Sequence, residues 1–337
     1  MMNQQNRNKN KEVVLEARHV TRTFEKGRFT AVSDLSFRLR KGHITGMIGV
    51  NGAGKTTTIK MCATLLNPSS GQVLVHGVDT VTNPAAAREC IGLMLGGSSG
   101  FYPRTSVRDN LLFFADIANV PARERKSEVV RVLAEVELTD LAGKKAYELS
   151  RGQYQRLHIA RSLLGSPDIL LLDEPTSGLD PDVALRIRSL IRSIALKGTA
   201  VLLTSHSMEE VEELADSFIV INHGRMKVAG QLVDVAAYAH LSWTTTFDFS
   251  PTDSYDLPAV ESYVGDFGRV MSRAFGGLWR VTVMWKDSAG MTEDRIRRLV
   301  SGLEEKFRTE SVFTRTANLE DAFLAIAQMS DDEEGQA

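Results

Sequence analysis

Residues Ile44–Thr58, ITGMIGVNGAGKTTT, read as a short apolar strand, a glycine-rich turn and the opening of a helix. Gly49, Asn51, Gly52, Ala53, Gly54, Lys55 and Thr56 lie within a G-x-x-x-x-G-K-[ST] phosphate loop. Glycines at 49, 52 and 54 permit positive φ and remove side-chain bulk, so main-chain N–H groups can approach an anion closely. The helix beginning near Lys55 aims its unpaired N–H donors and dipole at the same point. Lys55 adds a full positive charge for terminal phosphates, and the Thr56 hydroxyl is suited to a magnesium ion. The loop therefore implies binding of a nucleoside triphosphate.

At 337 residues the chain is long enough for two domains. Hydrophobic residues make up 43% and charged residues 24%, as in a globular protein. Forty basic against 42 acidic residues give a net charge of −2, which gives no support for nucleic-acid binding through a basic surface. Neither Cys62 nor Cys90 has metal-ligand company nearby in sequence, so reduced thiols are expected. The opening MMNQQNRNKNK lacks the apolar run of a signal peptide, and no stretch approaches the ~18 apolar residues of a membrane span.

Working outward, residues 1–11 read as a polar tail, and Val13–Phe24 and Ala31–Leu39 as strands. From Thr105 to about Leu164 the pattern is helical. Ser106 and Asp109 form a capping-box pattern, and Val129, Val130, Leu133 and Val136 are expected on one apolar face. Ile169–Leu172 is wholly apolar and ends in Asp173-Glu174, the pattern of a central parallel strand. Asp173 is positioned to hold magnesium, and Glu174 to orient or deprotonate water. A further helix and strand deliver Ser205-His206, and Phe218–Ile221 with Met226–Ala229 read as a hairpin. Alternating strands and helices around a phosphate loop imply a mostly parallel α/β core. After about residue 234 the texture becomes that of a small α+β domain with a ferredoxin-like order, spanning 235–329. An acidic tail follows at 330–337.

Leu149-Ser150-Arg151-Gly152-Gln153 opens a helix with Ser150 as N-cap, a second anion-friendly terminus. With the phosphate loop Gly49–Thr57, the LSRGQ segment, ILLLDE, Ser177-Gly178-Leu179-Asp180 and His206 in that order, the chain resembles the ATP-binding cassette (ABC) family over about residues 12–234. The resemblance implies a P-loop NTPase fold with a mixed sheet and a helical subdomain near 105–164. It also implies ATP and Mg2+ as ligands. Two cassettes, two copies of this chain or one with a paralogue, would pair head to tail. Ser150, Gly152, Gln153 and Asp180 of one would then meet nucleotide on Lys55, Thr56 and Thr57 of the other. Glu174 would act on water, His206 would hold the γ-phosphate, and Phe24 would stack on adenine.

Two positions depart from the family pattern. Gly96 stands where the family usually has a glutamine, with Ser98 or Ser99 as substitutes for its contacts. Arg151 replaces the common glycine, with its side chain expected to point outward. These features and Asn318–Leu324, NLEDAFL, resemble exporters of drugs and antibiotics with one cassette per chain. The resemblance implies a cytoplasmic subunit on the inner face of the cell membrane, bound through residues 105–164 to a separate transmembrane permease. The competing reading is an ATP-driven switch on ribosomes or nucleic acid. Relatives of that kind usually carry two cassettes or a long coiled coil, and neither is present here.

Overall fold

The computed structural model describes residues 12–96, 100–249, 257–275, 278–287, 291–307 and 309–329. The two expected tails and the Ser98–Ser99 pair lie outside these. The chain divides into two compact units, Met1–Lys227 and Val228–Ala337.

The first unit begins with β1 (Val13–Phe24) and β2 (Phe29–Arg40), an antiparallel pair. Next come β3 (Ile44–Ile48) and α1 (Lys55–Cys62), then β4 (Ser70–Val75), β5 (Val78–Asp79), α2 (Pro84–Glu89) and β6 (Ile91–Met94). Three helices occupy the helical stretch: α3 (Val107–Ile117), α4 (Arg125–Glu135) and α5 (Arg151–Ser162). β7 (Ile169–Asp173), α6 (Pro181–Leu196), β8 (Ala200–Thr204) and α7 (Met208–Leu214) lead to the hairpin strands β9 (Ser217–Asn222) and β10 (Arg225–Gly230).

One sheet has the order β2-β1-β4-β5 and is antiparallel. The other has the order β10-β9-β3-β8-β7-β6, with β9, β3, β8, β7 and β6 mutually parallel. Every residue of β3, β7 and β8 is buried, as continuous apolar runs in a sheet covered on both faces require. β6 is less buried than these three. It lies at the sheet edge, and Ile91 and Leu93 are only half-buried. The main core joins Leu15, Leu35 and Leu39 of the antiparallel sheet to Ile59 and Met61 of α1 and to Leu171 and Leu202 of the parallel sheet.

On α4 the buried residues are Val129, Val132 and Leu133, continued by Val136 just beyond its end. These follow the i, i+3, i+4, i+7 spacing of one helix face. Val130 is turned about 100° from that face, and 62% of its surface is exposed, against the expectation that it joins the core.

The second unit holds α8 (Leu232–Tyr238), β11 (Leu241–Phe249), α9 (Leu257–Val264), β12 (Gly268–Phe275) and β13 (Leu278–Lys286). It ends with α10 (Glu293–Phe307), β14 (Glu310–Thr316) and α11 (Leu319–Gln328). Its antiparallel sheet runs β12-β13-β11-β14, which with the β-α-β-β-α-β succession from β11 is the ferredoxin-like order. Phe247, Phe249, Val281, Val283 and Trp285 form a core with Ile296, Leu303 and Phe307 of α10. The division falls at Lys227/Val228 rather than after residue 234, because α8 packs on β11 and α11 and belongs with the second core.

Candidate nucleotide site

The phosphate loop joins β3 to α1, and its three glycines serve two different needs. A Cβ on Gly49 would lie 2.3 Å from the Ile221 carbonyl oxygen, so close approach of β9 excludes a side chain there. Gly52 and Gly54 have φ of +82° and +102°, the left-handed region that glycine adopts without strain. Lys55 is 7% exposed, and its Nζ donates to the carbonyl oxygens of Gly49 (2.6 Å) and Val50 (3.0 Å). The ammonium thus lies over the loop. Burial pulls its pKa below the usual lysine value, and the nearby Glu174 and Asp173 carboxylates oppose that shift. Ala53 is buried in the main core, Thr57 is half-buried and Asn51 is exposed.

Asp173 ends β7 and is 6% exposed. Its carboxylate accepts hydrogen bonds from Thr56 Oγ1 (3.0 Å) and from Thr204 Oγ1 (2.7 Å) at the end of β8. Thr56 and Asp173 thus offer a hydroxyl and a carboxylate side by side, hard oxygen donors that fit Mg2+. Glu174 follows with φ of +54°, an uncommon conformation for a side-chain-bearing residue. Its N–H donates to both the carbonyl and the hydroxyl of Thr204, each at 3.1 Å. Its Oε1 lies 2.6 Å from His206 Nε2. Lys55, Thr56, Asp173, Glu174 and His206 are therefore gathered at one end of the parallel sheet. Thr204, which the sequence did not single out, joins two of them, Asp173 and Glu174.

Ser150 caps α5 in a reciprocal box. Its Oγ accepts from Gln153 N–H (3.3 Å), and Gln153 Oε1 accepts from Ser150 N–H (3.0 Å). A Cβ on Gly152 would lie 2.4 Å from Val183 Cγ1, so the glycine lets α5 approach α6. Asp180 precedes α6 at the N-cap position, yet its side chain makes no cap hydrogen bond. Among the described residues, no hydrogen bond of Ser150 or Gln153 reaches the phosphate loop of the same chain.

Arg151 is exposed but does not simply point outward. Its Nη2 donates to the Ser177 carbonyl oxygen (3.3 Å) and lies 2.1 Å from where a Gly178 Cβ would stand. Gly178, with φ of +65°, leaves room for that guanidinium. Gly96, Arg151, Gln155 and Glu174 share the lining of a cleft of about 640 Å³. A Cβ at Gly96 would be in ordinary contact, 3.6 Å, with the Asp173 carbonyl oxygen, so packing does not demand glycine there.

Phe24 is half-buried at the turn end of the β1–β2 hairpin, not a core residue. The Arg22 guanidinium stands 4.6 Å from its ring centroid, and Phe29 stacks at 6.3 Å and 29°. The same hairpin meets the phosphate loop where the Ala31 carbonyl oxygen closes on Gly54.

A family model described as ABC transporter matches residues 32–177. The ABC transporter ATP-binding protein NatA of Bacillus subtilis is 38% identical over 202 residues, 60% of this chain and 82% of that protein. The doxorubicin resistance ATP-binding protein DrrA of Mycobacterium tuberculosis is 29% identical over 320 residues, 94% of this chain and 95% of that one. Among solved structures, cbiO1 from Clostridium perfringens, part of the ABC transporter complex cbiONQ, aligns with a TM-score of 0.60 at 27% identity. That alignment covers 65% of this chain and 89% of cbiO1. The phosphate loop, the strand ending in Asp173-Glu174 and the capped LSRGQ helix thus occur on a cassette fold, and the chain belongs to the ABC transporter family as one of its ATP-hydrolysing subunits.

Proposed function

We propose that this chain is the motor of a membrane exporter of drug- or antibiotic-like small molecules, working on a separate transmembrane permease. The observation that carries the catalytic reading is the convergence of Thr56, Asp173, Glu174 and His206 beside Lys55. Lys55 and the loop N–H groups at Gly52, Ala53 and Gly54, with Asn51 and Thr57 flanking, hold the triphosphate of ATP. Phe24 offers a ring for the adenine. Thr56 and Asp173 would hold Mg2+, which when bound supplies charge neutralisation for the phosphates. Glu174 takes the proton of the attacking water, and His206 fixes the position of that carboxylate.

Ser150, Gly152, Gln153 and Asp180 act on nucleotide held by a second copy of the chain. In support, the Ser150 and Gln153 side chains each accept from the other residue's main-chain N–H and, among the described residues, make no hydrogen bond to their own phosphate loop. The transport reading draws on the relatives. The match to the doxorubicin resistance protein runs through both units, and the "Probable multidrug ABC transporter ATP-binding protein YbhF" of Escherichia coli is 38% identical over 226 residues, 67% of this chain and 38% of that protein. Among the described residues no helix is long and apolar enough to cross a membrane. The chain would therefore sit on the inner face of the cell membrane and meet its permease through residues 105–164. No observation favours a switch on ribosomes or nucleic acid.

The test is Glu174→Gln with ATP and Mg2+, followed by light scattering and by affinity capture from detergent-solubilised membranes. The expected result is an ATP-stabilised dimer that hydrolyses nothing and co-purifies with a polytopic membrane protein. Wild-type turnover by the variant would remove Glu174 from its role. Capture of ribosomes instead would overturn the exporter reading.

A further inference from the structure

The opposite end of β7 from Asp173 carries a second cluster. His76, Cys90 and Asp168 each offer one donor atom, and the three donor atoms lie within 4.8 Å of one another. His76 follows β4, Cys90 caps α2 and Asp168 precedes β7, so the group joins the antiparallel sheet to the start of the parallel strands. Each main chain is tied down: His76 N–H donates to the Val14 carbonyl (2.9 Å), Ile169 N–H to that of Cys90 (3.0 Å) and Ala200 N–H to that of Asp168 (2.8 Å). The donors therefore project from fixed positions, which cuts the ordering cost of capturing an ion.

The geometry points to a binding site for a borderline, thiophilic divalent cation of the Zn2+ class, held by Cys90 Sγ, His76 Nε2 and Asp168 Oδ2 with water as fourth ligand. Tetrahedral zinc bonds of ~2.0–2.3 Å put ligand atoms about 3.3–3.5 Å apart. His76 Nε2 and Asp168 Oδ2 are already 3.1 Å apart, so Cys90 alone must close by about an ångström, within reach of rotation about χ1. The second carboxylate oxygen, Oδ1, faces Lys41 Nζ at 3.8 Å, an outer contact that orients the ligand without occupying the ligating oxygen. Thiolate and carboxylate together balance a dication. Thiolate–imidazole–carboxylate chemistry suits zinc or cobalt and not the hard Mg2+ of the nucleotide site. Cys62 does not compete: it is fully buried, with its thiol pushed up to about 12.

The site is tested on the full chain, freed of metal by chelator, by titration with Co2+. The expected result is one equivalent bound, with the thiolate-to-cobalt charge-transfer band and the intense visible bands of four-coordinate cobalt. Cys90→Ser should abolish the charge-transfer band. His76→Asn, which keeps a residue tolerant of the φ of +47° at that position, should weaken binding at least tenfold. Wild-type protein gives an independent readout: zinc should slow iodoacetamide alkylation of Cys90, read by peptide mass. Absence of the band in the wild type, its persistence in Cys90→Ser, or an alkylation rate unchanged by excess zinc would each overturn the assignment.

Discussion

His206 Nε2 lies 2.6 Å from Glu174 Oε1, closing a bridge between the ends of adjacent strands β7 and β8, where Asp173 pairs with Thr204. The imidazole fixes the carboxylate proposed to activate water, and its own 54% exposure leaves it open to a phosphate. His206→Ala should lower ATP turnover by roughly a hundredfold or more, the usual worth of a well-placed acid–base partner. ATP affinity, measured by thermal shift, should change little, because Lys55 and the loop are untouched. A variant with normal turnover would make the contact a resting-state ornament.

Thr204 is a positioning residue. Its hydroxyl donates to Asp173 and accepts from the Glu174 N–H, and it is fully buried. Thr204→Val keeps the shape and strips both hydrogen bonds, so it should cost about 1–3 kcal/mol of stability. Loosened carboxylates should also lower kcat, by up to about a hundredfold for an ångström of misplacement. Thr204→Ser should restore kcat. If serine were as slow as valine, the hydroxyl alone would not account for the role.

The difference between Glu174 and Thr204 is also a difference in what the sequence makes legible. The phosphate loop, the ILLLDE strand and the Ser150–Gln153 box are local patterns whose chemistry is complete within a few residues. Thr204 reads as one more strand-favouring residue at the end of AVLLT. Only the register of β7 on β8 puts its hydroxyl against Asp173. Arg151 is similar: its contact with Ser177 exists because Gly152 lets α5 settle against Val183 of α6. In the second unit, α9 and β12 escaped the sequence reading. α9 is only eight residues long, and GRVMSRAF lacks the apolar alternation that marks β11 and β13. NLEDAFL, by contrast, resolves into a cap followed by the buried Leu319, Ala322 and Phe323 of α11.

His158 sets an acid limit on the first unit. It is 1% exposed, neither ring nitrogen has a hydrogen-bond partner among the described residues, and Phe101 and Tyr154 pack on its ring. Burial, with the Arg161 cation adding to it, pulls its pKa from 6.5 down to about 4. Between those values the unfolded chain binds a proton that the folded chain does not, so stability falls as pH falls through this window. The loss by pH 5 should be about 2 kcal/mol relative to pH 7. His158→Leu should remove that part of the pH dependence in urea unfolding followed by circular dichroism. Identical pH slopes in variant and wild type would rule out His158 as its source.

Asp321 should matter to the second core in the same quantitative way. It is 5% exposed on α11, accepts from Asn318 N–H at 2.9 Å and from Arg315, and its own N–H donates to Asn318 Oδ1 at 2.9 Å. Asp321→Ala removes the acceptor of both the cap and the guanidinium and should cost about 1–3 kcal/mol. All three tryptophans, Trp243, Trp279 and Trp285, lie in this unit, so intrinsic fluorescence reports its unfolding alone. Trp285 is fully buried with its N–H on Thr245 Oγ1 at 2.8 Å, and its emission should shift to the red at lower urea in the variant. Asp321→Asn keeps an acceptor for the Asn318 N–H but loses the charge facing Arg315, and should fall between. ATP affinity should stay within about twofold in both, since the phosphate loop belongs to a separate core. Loss of nucleotide binding in step with the fluorescence midpoint would instead make the two cores a single cooperative unit.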